Sequence, residues 1–174
     1  MIILGVDPGI ATVGYGVLEY DKYKFRFIDC GIISTPAGMA VEDRLVAVHE
    51  GVLSLTGHYK PNCMSIEELF FHTNQKTIIN VAQARGVILL AARKAGIPIY
   101  EYTPLQVKTV VTGYGRAEKR QVMEMVRLTL KLDRVPRPDD AADALALAIC
   151  HGYNSSSKLN GINRPIAARR TGGK

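Results

Sequence analysis

Cysteine is scarce in this chain, and its three copies, Cys30, Cys63 and Cys150, lie far apart. An odd number at such spacing supplies neither a disulfide framework nor a metal-ligand motif. The three read as small buried residues of a protein kept in a reducing, cytoplasmic setting. No apolar run is long enough to span a bilayer, so no membrane partner is expected. The opening MIILGVD lacks a basic leader and a small-residue cleavage site, and reads as a core strand instead of a signal peptide. Internal repeats are missing, and no Ser–His or Cys–His arrangement offers a nucleophile. Acidic residues stop at Asp143.

What is present suits one domain of ordinary size: 174 residues, 47% of them hydrophobic, enough for a real core. The net charge of +6 is unevenly spread. Residues 1–75 hold five Lys/Arg against nine Asp/Glu, and residues 76–137 hold twelve against four. Residues 138–150 hold three Asp and no base, and residues 151–174 hold five bases and no acid. A basic part able to hold a polyanion thus accompanies acidic segments able to hold metal. A solvated basic surface without a partner is the plainer alternative.

The apolar run 2–7 predicts a buried strand, ended by Pro8-Gly9. Residues 13–20 and 25–34 predict two more strands joined by the polar turn 21–24. Helical spacing of Val41, Leu45, Val48, Val52 and Leu55 predicts a helix over 41–57, before Pro61. A fourth strand is expected over 63–70, a long helix over 75–95 and a fifth strand over 97–102. Thr103-Pro104 signals a further helix, ending near Gly113. Helices over 118–131 and 139–150 follow. The pattern implies an α/β fold: a five-stranded mixed sheet, three antiparallel N-terminal strands then parallel ones, with helices on both faces. Strand four is expected beside strand one, in parallel. The domain is expected to occupy residues 1–153, followed by a basic, flexible tail over 154–174.

Acidic residues at three places draw attention because phosphodiester hydrolysis suits carboxylates that hold hard divalent cations. Asp7 ends strand one, Glu67 and Glu68 lie in strand four, and Asp139, Asp140 and Asp143 open the last helix. Asp140 and Asp143 are three apart, so they share a helix face. Glu67 and Glu68 point to opposite sides of a strand, so at most one faces a shared site. Each acid also has a plain structural role available. Asp7 can form the turn before Pro8-Gly9, and Asp139 can cap the last helix and oppose its dipole. Asp143 interrupts an Ala/Leu helix, where burial demands a partner or a metal.

Four blocks, GVDPGIATVGYGV, IEELFFHTNQKTIINVAQARGVIL, YTPLQVKTVVTGYGRAEKRQVMEMV and DDAADALALAICH, resemble those of the RuvC family of Holliday junction endonucleases in order and spacing. The likeness covers residues 1 to about 152. It implies an RNase H-like fold, a homodimer, and paired, symmetric nicking of four-way junction DNA that leaves 5′-phosphate and 3′-hydroxyl ends. It assigns Asp7, Glu67, Asp140 and Asp143 as catalytic metal ligands. The expected cofactor is Mg²⁺, two ions per site bridged by Asp7, with Mn²⁺ as a substitute. As DNA contacts it suggests Phe70, stacking on an unpaired base, and Lys108 and Lys119 near the scissile phosphate. Arg85, in the QARG block, is expected to contact phosphate, and Arg116 and Arg120 to add backbone contacts. The apolar residues of the helix 75–95 are candidates for the subunit interface. The family also implies the RuvA–RuvB branch-migration complex as a partner in recombination and repair.

Overall fold

The computed structural model describes residues 1–69, 75–156 and Pro165. Five strands form one sheet in the order β3-β2-β1-β4-β5. These are β1 (Ile2–Asp7), β2 (Thr12–Asp21), β3 (Lys24–Ser34), β4 (Cys63–Glu67) and β5 (Ile99–Tyr102). β1, β2 and β3 run antiparallel, whereas β4 pairs in parallel with both β1 and β5. Helices α1 (Val41–Tyr59), α2 (Gln75–Lys94), α3 (Pro104–Thr112), α4 (Lys119–Leu130) and α5 (Asp139–Ser156) complete the described residues.

Strand alternation divides the interior in two. Leu4, Val6, Met64, Ile66 and Ile99 pack with Val48 and Val52 of α1 and with Ile88, Ala91 and Ala92 of α2. Ile3, Cys63 and Tyr102 point the other way, into a second core with α3, α4 and α5. Helices therefore cover both faces, as the pattern of the sequence requires. Asp7 and Glu67 keep the parity of Ile3 and Cys63, so their side chains belong to the α5 face.

α5 lies unusually close to the sheet because small residues meet small residues. Gly5 of β1 passes under the backbone of α5: a Cβ there would stand 2.0 Å from the Ala144 carbonyl oxygen. At Gly14 of β2 a Cβ would stand 2.1 Å from the carbonyl oxygen of Asp140. Ala141, Ala144 and Ala148 are fully buried on the helix. Only this lack of side-chain bulk lets the first turns of α5 descend onto the end of β1.

Two expected boundaries move by more than two residues. The fourth strand stops at Glu67 and not at residue 70. Its neighbours run out: β1 ends at Asp7 before Pro8-Gly9, and β5 ends at Tyr102 because Thr103 begins α3. Thr103 accepts from the Gln106 amide while the Gln106 side chain accepts from the Thr103 amide, closing a capping box ahead of Pro104. The last ladder bond is Glu68 N–H to the Tyr102 carbonyl, 2.9 Å. α5, expected to end at residue 150, continues to Ser156. Its polar end satisfies itself locally: Asn154 Nδ2 donates to the Cys150 carbonyl at 2.9 Å and Ser155 Oγ to that of Gly152 at 2.7 Å. Residues 154–156, expected to begin a flexible tail, are thus the last turn of α5, and past Ser156 only Pro165 is described, so the flexibility expected of the rest falls outside the described residues. Cys63 and Cys150 are buried thiols, as expected, whereas Cys30 is half-buried.

Candidate active site

The parallel register of β1 and β4 pairs Val6 with Ile66. The next residues, Asp7 and Glu67, therefore stand side by side at the ends of adjacent strands, on the α5 face. Across from them α5 contributes Asp143. These three carboxylates, from segments far apart in sequence, line one cavity of about 270 Å³. Pro104, Val107 and Lys108 of α3 form one wall, Lys119 and Val122 of α4 another, and Ala146 and Leu147 of α5 a third. Asp140 does not line this cavity, but its charge acts on both Asp7 and Asp143.

The charges are in conflict. Burial, then the negative charges of Glu67, Asp143 and Asp140, push the Asp7 carboxyl up to about 8. Burial and Asp143 raise Glu67 as well. Burial raises Asp143, helped by Asp140 and Asp139 and opposed by Lys119. Lys119 supplies the compensating cation, with Nζ 2.9 Å from Asp143 Oδ2 and 3.7 Å from Asp139 Oδ2. The hydrogen bond to Asp143 holds the Lys119 ammonium above its ordinary range. Asp139 also accepts from Arg137 Nη1 at 2.5 Å. It sits in the first turn of α5, where its charge opposes the helix dipole as expected, but its carboxylate is spent on two cations.

Clustered carboxylates that repel one another, hard oxygen donors all, suit a divalent cation that would relieve the repulsion. As the side chains stand, no three His, Cys, Asp or Glu among the described residues form a finished cage. The ammonium of Lys119 stands among the acids instead. The donor set fits a hard cation in kind, with side-chain rotation needed to close on it.

Comparison with known proteins decides the family. The model for "Crossover junction endodeoxyribonuclease RuvC" matches residues 3–151. The chain belongs to the RuvC family. The Clostridioides difficile RuvC is 56% identical over 97% of this chain and 99% of the relative. The Rubrobacter xylanophilus RuvC is 52% identical over 95% and 93%. Among solved structures, Thermus thermophilus RuvC in complex with a Holliday junction substrate superposes with a TM-score of 0.84 at 36% identity. That likeness covers 89% of this chain and 94% of the other. The yeast mitochondrial Holliday junction resolvase Ydc2, at 14% identity and a TM-score of 0.60 over 85% of this chain and 76% of that one, shares the fold.

Within this RuvC fold the residues singled out by sequence part into three groups. Asp7, Glu67, Asp143, Lys108 and Lys119 meet at the cavity. Arg116 and Arg120 are exposed beside it, at the entry to α4, and Arg120 lines a neighbouring groove with Tyr114 and Glu118. Arg85 stands apart: its guanidinium is ion-paired with Glu101 and its Nε donates to the Glu67 carbonyl at 3.2 Å. Phe70 lies outside the described residues. Sequence reasoning passed over Glu101. The available signal was its place as the single acid of a short strand, IYEY, on the side that alternation turns inward.

Proposed function

We propose that this chain resolves Holliday junctions by paired, metal-dependent nicking of two strands. The observation that carries the reading is the convergence of Asp7, Glu67 and Asp143 on one cavity walled by two lysines. Asp7, Glu67 and Asp143, with Asp140 beside them, would hold Mg²⁺, for which Mn²⁺ can substitute. Bound divalent ions supply charge neutralisation at the phosphate and a lowered pKa for water. Lys119, now engaged with Asp143, would be free to meet the scissile phosphate if the acids held a divalent cation. Lys108 approaches the same phosphate from α3. Arg116 and Arg120 hold the adjoining backbone, and Phe70 stacks on an unpaired base near the junction centre. The products carry 5′-phosphate and 3′-hydroxyl ends.

A four-way junction has approximate two-fold symmetry, which a homodimer matches with one site per strand. α2 offers the face for it. Ile79, Gln83, Gly86 and Leu90 recur at helical spacing and all are exposed, Ile79 by 58% and Leu90 by 54%. An exposed glycine in a helix interior costs about 1 kcal/mol against alanine, and close approach of a second helix is a reason to keep it. The RuvA–RuvB complex is the proposed partner, and the cytoplasm, where three free thiols persist, the proposed site of action. No helix among the described residues is long and apolar enough to cross a membrane. The five bases of 151–174 are proposed to add salt-sensitive affinity for the junction.

The test is direct. The protein is incubated with an end-labelled four-way junction and with a linear duplex, with and without Mg²⁺, and the nicks are mapped. Symmetric nicks in the junction alone, and only with metal, are expected. Equal cutting of the linear duplex, or cutting without metal, overturns the reading.

A further inference from the structure

Arg85 is placed where an ordinary phosphate contact would not be. It rises from α2, on the sheet face opposite the acidic cavity. Its side chain is only 13% exposed and that of its ion-pair partner Glu101 only 18%. Glu101 shares the parity of Ile99, which packs against α2, so its carboxylate faces the same helix. From that pairing Arg85 Nε reaches past Glu101 to the main-chain carbonyl of Glu67, at 3.2 Å.

The bond falls at the end of a strand. Glu67 is the last residue of β4, and the ladder beyond it is reduced to Glu68 N–H bonding the Tyr102 carbonyl. A strand end with few ladder bonds is free to shift its peptide, and the side chain follows. Arg85 supplies the missing constraint from beneath. A planar guanidinium can bond a carboxylate with one edge while directing Nε at a second acceptor, which a lysine ammonium cannot reproduce. Glu101 fixes the orientation of the guanidinium, and Glu68 adds negative charge near it. One helix and two strands are thereby tied together under the carboxylate of Glu67.

We propose that Arg85 is a positioning residue: held by Glu101, it fixes the peptide of Glu67 and so aims that carboxylate into the cavity. This role replaces the phosphate contact expected of it from sequence, and it rests on the metal-dependent nuclease reading above.

The experiment compares Arg85→Ala, Arg85→Lys, Glu101→Gln and Arg85→Ala/Glu101→Ala with the wild-type full chain. Four quantities are read: junction Kd with its salt dependence, kcat at saturating junction, the Mg²⁺ concentration for half-maximal rate, and the rise in Tm that Mg²⁺ produces. Arg85→Ala is expected to lower kcat and raise the Mg²⁺ requirement by about 10- to 100-fold, the range seen when a support of a metal ligand is lost. The Mg²⁺-dependent rise in Tm shrinks, while junction Kd and its salt slope stay at wild-type values. Arg85→Lys fails to restore kcat, Glu101→Gln shows a smaller loss in the same direction, and the double variant is no worse than Arg85→Ala. If Arg85→Ala does not fold, Glu101→Gln carries the test through the same four readouts. A weaker Kd with the salt slope reduced by about 1, at unchanged kcat, identifies a phosphate contact and overturns the proposal. So does an unchanged Mg²⁺ requirement in a folded variant. Absence of junction nicking by the wild-type protein sinks the nuclease reading itself, whereas an active wild type beside an unaffected Arg85→Ala sinks only this inference.

Discussion

Asp7 concentrates the conflict of the site in one side chain. Its carboxyl is pushed up to about 8 by burial and by three neighbouring acids. Asp7→Asn keeps the shape and removes the charge. It is expected to abolish nicking, a larger loss than the roughly 100-fold typical of removing a group that merely supports a metal ligand. Junction affinity, set by the surrounding cations, should stay within a few-fold of wild type; gel-shift and cleavage assays on one junction check both. The acids were legible in the sequence because each follows an apolar strand or opens an apolar helix; β alternation left one of Glu67 and Glu68 for the site, the family resemblance named Glu67, and the register of β1 and β4 sets it beside Asp7. Arg85 was not legible in that way. Nothing in the sequence QARG says that the arginine points under the sheet, because its direction depends on where Glu101 falls across β5. His151 is another residue whose setting only the fold discloses. It is 2% exposed, its Nδ1 lies 2.7 Å from the Tyr102 hydroxyl, and burial lowers its pKa to about 4. The folded state therefore refuses a proton that the unfolded chain takes up below about 6.5. Stability is complete above that value and falls as the pH drops toward 4, by about 3 kcal/mol from this residue alone. Urea unfolding at several pH values should show a shallower decline for His151→Gln than for wild type between pH 6.5 and 4, and parallel curves would contradict the buried neutral imidazole.

At the scale of elements, the site exists because α5 can settle onto β1 and β2. The order of strands and helices was readable from periodicity and from punctuation such as Pro8-Gly9, Thr103-Pro104 and Gly113. The end of β4 was not, since apolar residues continue past Glu67 and only the termination of its neighbours stops the ladder. Nor was the true length of α5, whose Asn154 and Ser155 look like loop residues until their side chains are seen bonding the helix's own carbonyls. The closeness of α5 was hidden too, for the glycines of β1 and β2 acquire meaning only when Ala144 and the Asp140 backbone are found above them. Gly5→Ala would place a methyl group 2.0 Å from the Ala144 carbonyl oxygen, against backbone that cannot rotate away. The helix must lift, carrying Asp143 from Asp7 and Glu67. A stability loss of roughly 1–3 kcal/mol in urea unfolding is expected, with nicking falling further than the unfolded fraction explains. An equally active Gly5→Ala protein would mean that the acids tolerate a looser helix.

For the whole molecule, acids and bases are separated in sequence and brought together in space. Asp7 and Glu67 come from the acidic first part of the chain, while Lys108 and Lys119 come from the basic middle, and the sheet's central strands seat the former between the helices that carry the latter. Charge bookkeeping by segment anticipates a polyanion partner without saying that the boundary between segments runs through the cavity itself. The symmetry of the substrate then adds a requirement that one chain cannot meet, since one cavity cuts one strand. On α2 the exposed stripe of Ile79, Gln83, Gly86 and Leu90 faces away from both cores, and a two-fold axis through it would pack the stripe against its own copy. Leu90→Glu puts an unpaired charge into such an apolar contact while leaving the cavity untouched. Sedimentation is expected to report a dimer for wild type and, at the same concentrations, a monomer for the variant. On a labelled junction the variant should leave single nicks in place of paired ones, so that nicked junctions accumulate and linear duplex products fall by about tenfold or more, the factor set by roughly 1.4 kcal/mol of lost association. A monomeric Leu90→Glu that still produced coincident nicks would separate paired cleavage from dimerisation, and the two-fold argument would fail with it.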